Sequence, residues 1–118
     1  MPNPPDFAPR TFAFARDIVY LYRSLVELPR FPFVIARQVL RSGTSIGANI
    51  EEARAPSSRR DLASRHAIAL REARETKYWL RLIQATQLAP SAILSKPLLE
   101  VDELVAILTT SVRSLRNG

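Results

Sequence analysis

The stretch Arg41-Ser-Gly-Thr-Ser-Ile-Gly-Ala-Asn-Ile-Glu-Glu-Ala53 carries two glycines four residues apart inside a segment whose spacing is otherwise helical. An interior glycine costs a helix roughly 1 kcal/mol relative to alanine, so two of them need a compensating gain. At about 100° per residue, Ala36, Val39, Leu40, Gly43, Ile46, Gly47 and Ile50 fall on one side. Both glycines therefore lie on the face that meets other helices, where a missing side chain lets two backbones approach closely. The opposite side holds Gln38, Arg41, Ser45, Asn49 and Glu52 at steps of three or four residues. Such a line fits a solvated outer face. It also fits a second packed surface such as a subunit contact, because Thr44, Ser45, Ala48 and Asn49 are short. Spacing does not choose between the two.

Outward from this stretch, the prolines divide the chain. Residues 1–10 contain four of the nine prolines and read as a flexible, extended arm. A first helix is expected from about Thr11 to Leu28, with Phe14, Ile18, Leu21, Leu25 and Leu28 on one stripe and Ala15, Val19, Tyr22 and Val26 on a second beside it. Pro29 and Pro32 bracket a turn, and the glycine-bearing helix runs from about Phe33 to Ala55. Pro56 makes the next break, a long third helix runs from about Arg60 to Leu88, and Pro90 ends it. The fourth helix is expected to start with Ser95 as cap and Pro97 in its first turn. Its face is Val101, Leu104, Val105, Leu108, Val112 and Leu115, and it stops at Asn117-Gly118. The pattern predicts an all-α fold, an antiparallel up-and-down four-helix bundle formed by residues 11–118 as one domain.

The third helix sets a carboxylate among apolar residues. Ile68, Ala69, Ala73, Thr76, Trp79, Leu80 and Ile83 lie within about 140° of one another, with Glu72 in the middle of that arc and Glu75 at its edge. A carboxylate placed there needs a partner. An antiparallel hairpin turning near residues 56–58 brings Arg41 level with Glu75 and Ser45 level with Glu72. Arg41 and Ser45, or their copies on a neighbouring subunit, are the expected partners, in a network that either fixes register or forms an interface.

The 118 residues hold 17 basic and 11 acidic side chains, a formal charge of +6, and no cysteine. Seven of the basic residues and only three of the acidic ones lie between positions 58 and 90. Away from the apolar arc of the third helix are Arg60, Arg71, Arg74, Lys77 and Arg81, with Tyr78 and His66 nearby. Five cations along some 30 Å of helix can follow a phosphate backbone, and Tyr78 can stack on a base. An ordinary solvated helix face has the same composition. An acidic protein partner fits the charge as well as a nucleic acid does.

The residues for catalysis or metal binding are missing. Di-iron bundles need two Glu-x-x-His pairs, whereas the one histidine, His66, has no glutamate three positions before it, and Glu72/Glu75 and Glu100/Glu103 are Glu-x-x-Glu. There is no phosphate-cradling glycine loop and no thiol nucleophile. His66 beside Arg65 is expected on the surface. The reading is of a non-enzymatic protein without catalytic residues, metal or cofactor. No apolar run approaches the roughly 20 residues of a membrane span, and without cysteine a cytoplasmic location is expected.

The run quoted above, followed by Ile-Ala-Leu-Arg-Glu-Ala-Arg-Glu-Thr-Lys-Tyr-Trp-Leu-Arg-Leu-Ile (68–83), resembles the bacterial four-helix-bundle family of 23S ribosomal RNA intervening sequences, from about residue 12 onward. The matching positions are Arg41, Ser45, Asn49, Glu52, Glu72, Glu75, Tyr78 and Trp79. The resemblance implies a left-handed bundle. It also implies assembly into a homopentameric ring, as in the related accessory proteins of diversity-generating retroelements, which are basic and bind nucleic acid and a reverse transcriptase. A ring gives the polar line of the second helix, or the second stripe of the first, a subunit to face. The expected function is RNA or DNA binding, structured RNA foremost, by a helical oligomer; the alternative is an adaptor for an acidic protein.

Overall fold

The computed structural model describes residues 5–117, which form four helices: α1 (Ala8–Glu27), α2 (Phe33–Glu52), α3 (Arg59–Ala85) and α4 (Ser91–Asn117). Short connections run each helix antiparallel to the one before. α1 packs on α2, α2 on α3 and α3 on α4, while α1 and α4 meet along a sparser seam. The result is a rod of 51 × 20 × 20 Å.

α1 begins at Ala8, three residues before the expected start. Pro9 sits in its first turn, where a missing N–H costs nothing, and the Asp6 carboxylate accepts a hydrogen bond from Ala8 N at 3.0 Å. Part of the expected arm is therefore helix, and Phe7 packs against the core. Residues 1–4 of that arm lie outside the described residues. Ser58 caps α3, its hydroxyl accepting from Asp61 N at 3.0 Å while the Asp61 carboxylate accepts from Ser57 N at 3.1 Å. α3 ends at Ala85, with Gln87 at φ 56° and Leu88 N donating to Ile83 O. That is a left-handed helix stop in which glutamine holds the place usual for glycine.

The start of α4 departs from expectation. It lies at Ser91, so Pro97 falls in the helix interior and not in its first turn. An interior proline costs about 3 kcal/mol, but starting at Ser91 sinks Leu94 completely and Ile93 partly into the core. Burying one Leu side chain offsets roughly 1.5–3 kcal/mol, and Pro97 is itself buried. The apolar pair outweighs the proline.

The core is built from one stripe per helix: Phe14, Ile18 and Leu25, then Val39 and Ile46, then Leu80 and Ile83, then Leu94, Val101, Leu104 and Leu108. The two glycines of α2 face α1. A Cβ built on Gly43 would stand 2.8 Å from both Cγ atoms of Ile18, and one on Gly47 would stand 3.1 Å from the backbone oxygen of Thr11. Close approach of α1 is the gain that offsets their helix cost.

Candidate nucleic-acid interface

The polar face of α2 and the carboxylates of α3 meet through one arginine. Arg41 Nη1 donates to Glu72 Oε2 at 3.2 Å, Nη2 donates to Glu75 Oε2, and Nε donates to Gln38 Oε1 at 2.9 Å. Trp79 Nε1 donates to the same Glu75 oxygen at 3.0 Å. The Glu72 side chain is 17% exposed against 49% for Arg41, so the guanidinium lies over a mostly buried carboxylate and reaches water on its far side. Beneath it, Thr76 Oγ1 donates to Ser42 Oγ at 2.9 Å, and Ser42 Oγ donates to Gln38 O at 2.7 Å. Both hydroxyls are fully buried.

Ser45 takes no part in this network. Its hydroxyl donates to Ser42 O at 3.2 Å, Asn49 Nδ2 donates to Ser45 O at 2.8 Å, and Glu52 is exposed. The Ser45 hydroxyl gives its proton to a carbonyl of its own helix. The structure thus brings Arg41, Glu72 and Glu75 together and leaves Ser45, Asn49 and Glu52 apart from them. The sequence reading missed the Ser42–Thr76 pair, although Ser42 stands three residues after Val39 and four before Ile46, on the buried side.

On the outer side of α3, Arg71, Arg74, Tyr78 and Arg81 follow one another at steps of three, four and three residues and are all exposed. Arg60, also exposed, lies eleven residues before Arg71, three helical turns away on the same line. Among the described residues, none of these four arginines makes an ion pair or a side-chain hydrogen bond. Lys77 departs from them: its Nζ lies 2.7 Å from Asp102 Oδ1 of α4. With Glu72 and Glu75 turned to Arg41, the nearby acids of α3 are occupied elsewhere, and the stripe presents uncompensated positive charge over about 30 Å.

His66 is buried, not on the surface. Its Nδ1 lies 2.7 Å from Ser111 Oγ, and the Phe7 ring covers it at 5.9 Å between centroids. Burial pushes its pKa below the usual histidine value. Phe7 of the segment before α1 and Ser111 of α4 enclose it, and neither neighbour is visible to helical spacing. Among the described residues no three His, Cys, Asp or Glu gather where a metal ion could be held, and no helix is long and apolar enough to cross a membrane.

These features define an all-α four-helix bundle with an internal Arg–Glu clasp and an arginine-lined third helix. The chain belongs to the family of 23S rRNA-intervening sequence proteins, whose model matches residues 7–110. A Bacteroides thetaiotaomicron protein of unknown function from the S23 ribosomal protein family has a crystal structure that superposes with a TM-score of 0.82 at 39% identity. That match covers 89% of this chain and 96% of the other. No match is found among curated proteins.

Proposed function

We propose that the protein is a non-enzymatic, oligomeric helical bundle that binds nucleic acid, with structured RNA the favoured ligand, through the arginine stripe of α3. The observation that carries this reading is that Arg60, Arg71, Arg74 and Arg81 share one exposed line and, among the described residues, have no carboxylate partner. Guanidiniums left free in this way bind phosphate oxygens by paired hydrogen bonds and release counterions from the polyanion. The family's link by name to ribosomal RNA intervening sequences agrees with an RNA ligand.

Self-assembly into a cytoplasmic ring is part of the same proposal. Phe12, Val19 and Val26 stand seven residues apart on α1 and are 73%, 41% and 41% exposed. Beside them, Thr44, Gly47 and Ala48 of α2 form the wall of a shallow groove with Ala15. An apolar line next to small residues suits contact with another copy. Five chains of 13.3 kDa give about 67 kDa, and light scattering that returns a monomer at micromolar concentration counts against the ring.

The test of the binding face replaces Arg71, Arg74 and Arg81 together by Gln. At about 0.1 M salt, three lost phosphate contacts at roughly 0.7 counterions each lower RNA affinity about 100-fold. Unchanged affinity in a variant that keeps its helical circular dichroism removes the proposal. Purification with and without nuclease separates it from an adaptor role: co-purifying RNA supports the first, a stoichiometric acidic protein the second.

A further inference from the structure

We infer that the α3 stripe takes the unpaired, looped segments of a structured RNA, with one base stacked on Tyr78, in preference to the backbone of a continuous duplex. This rests on the reading of the stripe as an RNA-binding face and specifies the form of RNA it selects.

The observation is an aromatic ring set among the free cations. Tyr78 is 58% exposed, and among the described residues its hydroxyl has no hydrogen-bond partner. It follows Arg74 by four residues and precedes Arg81 by three, which places it between two guanidiniums roughly 10 Å apart along the helix axis. A paired duplex offers such a ring little, because each base face is already covered by its neighbours and only phosphates and 2′-hydroxyls are presented. An unpaired nucleotide offers a bare base face with a phosphate on either side. Arg–aromatic–Arg along one line matches that alternation of charge and π-surface.

The ring is also held in place before any ligand arrives. Tyr78 meets Trp79 edge to face, with centroids 5.2 Å apart and planes at 75°. Trp79 is fixed by its Nε1 hydrogen bond to Glu75, and Glu75 is fixed by Arg41 of α2. The clasp between α2 and α3 therefore supports the aromatic pair from behind. An edge-to-face contact engages at most one face of the Tyr78 ring, and its exposure leaves the other for a base. Pre-setting the ring lowers the ordering cost of binding.

Trp79 is the chain's one tryptophan, so the contact carries its own fluorescent reporter. The experiment compares an unpaired oligoadenylate with a fully paired RNA duplex of equal phosphate number, using the full chain, Tyr78→Ala, Tyr78→Phe and Arg74→Gln. Stacking on an aromatic side chain is worth about 1–3 kcal/mol per base, so Tyr78→Ala lowers oligoadenylate affinity by about fivefold or more. Its duplex affinity stays within about twofold of the unmutated protein on the same grounds. Tyr78→Phe keeps both affinities, and Arg74→Gln weakens both. Oligoadenylate, but not duplex, changes Trp79 emission, and the change disappears in Tyr78→Ala. Duplex binding as tight as oligoadenylate, or a Tyr78→Ala effect equal on both or absent from both, overturns the inference and leaves the arginine face standing. Failure of the unmutated protein to bind either RNA overturns the face itself.

Discussion

Replacing Gly43 by alanine tests how closely α1 and α2 are meant to pack. The added Cβ would lie 2.8 Å from Cγ1 and Cγ2 of Ile18 and 3.3 Å from its Cβ, where carbon atoms prefer about 3.5–4.0 Å. The clash falls on the base of a β-branched side chain that is fully buried, so no rotamer change relieves it and the helices must separate. Overpacking of this kind costs about 1–3 kcal/mol, and the alanine returns about 1 kcal/mol of helix propensity. A net loss of about 0–2 kcal/mol is expected, read from urea unfolding by circular dichroism at matched protein concentration. In an Ile18→Ala background both Cγ atoms are gone, and the same Gly43→Ala change becomes stabilising by about 1 kcal/mol. The two backgrounds therefore differ by about 1–3 kcal/mol, beyond the additivity of independent sites. Gly47→Ala, with its Cβ 3.1 Å from the Thr11 carbonyl oxygen, needs a shift of only a few tenths of an ångström and moves stability less. A Gly43→Ala protein more stable than the original, or a cycle additive within about 0.5 kcal/mol, would refute the close-approach reasoning.

Arg41→Ala leaves the largely buried Glu72 without its cation. Half-exposure of the arginine limits the loss to about 1 kcal/mol, and adding Glu72→Gln recovers part of it, as a double-mutant cycle in urea will show. Stability also depends on pH through His66, whose pKa in the folded chain lies below its ordinary value because of burial. The unfolded chain takes up the proton first, so the contribution is fully present above about pH 6.5 and is lost as the pH falls toward the folded value. The difference in urea midpoint between the original protein and His66→Asn should shrink over that interval; a difference independent of pH between 5 and 8 would contradict it. Lys77→Gln should weaken RNA binding less than Arg74→Gln in a filter-binding titration, because Asp102 already offsets the lysine charge. Equal effects would mean that the surface pair opens without cost.

Much of the fold was written in local pattern. Prolines at breaks and apolar spacing located four helices, and Gly43 and Gly47 on the inner side of α2 foretold a close neighbour. Two features escaped because they depend on partners distant in the chain. Ser91 begins α4 only because Leu94 finds a core to enter, and His66 turns inward only because Phe7 covers it and Ser111 meets its Nδ1. The site shows the same division. Arg41 spans the gap to Glu72 and Glu75, as antiparallel register implies, whereas Ser45 finds a closer carbonyl in its own helix. The cations of α3 were legible as a group, but Lys77 could be told from the arginines only once α4 brought Asp102 beside it.

The measurement that bears most directly on the arginine face is the slope of log affinity against log salt for a single-stranded RNA. Four free guanidiniums at roughly 0.7 counterions each give a slope of about −3, or some 50-fold weaker binding between about 50 and 200 mM salt. The Arg71, Arg74 and Arg81 triple Gln variant should fall to a slope of about −0.7, with only a two- to threefold loss over the same range. Identical slopes for the two proteins would show that the polyanion is gripped elsewhere and would contradict the assignment of α3 as the binding face.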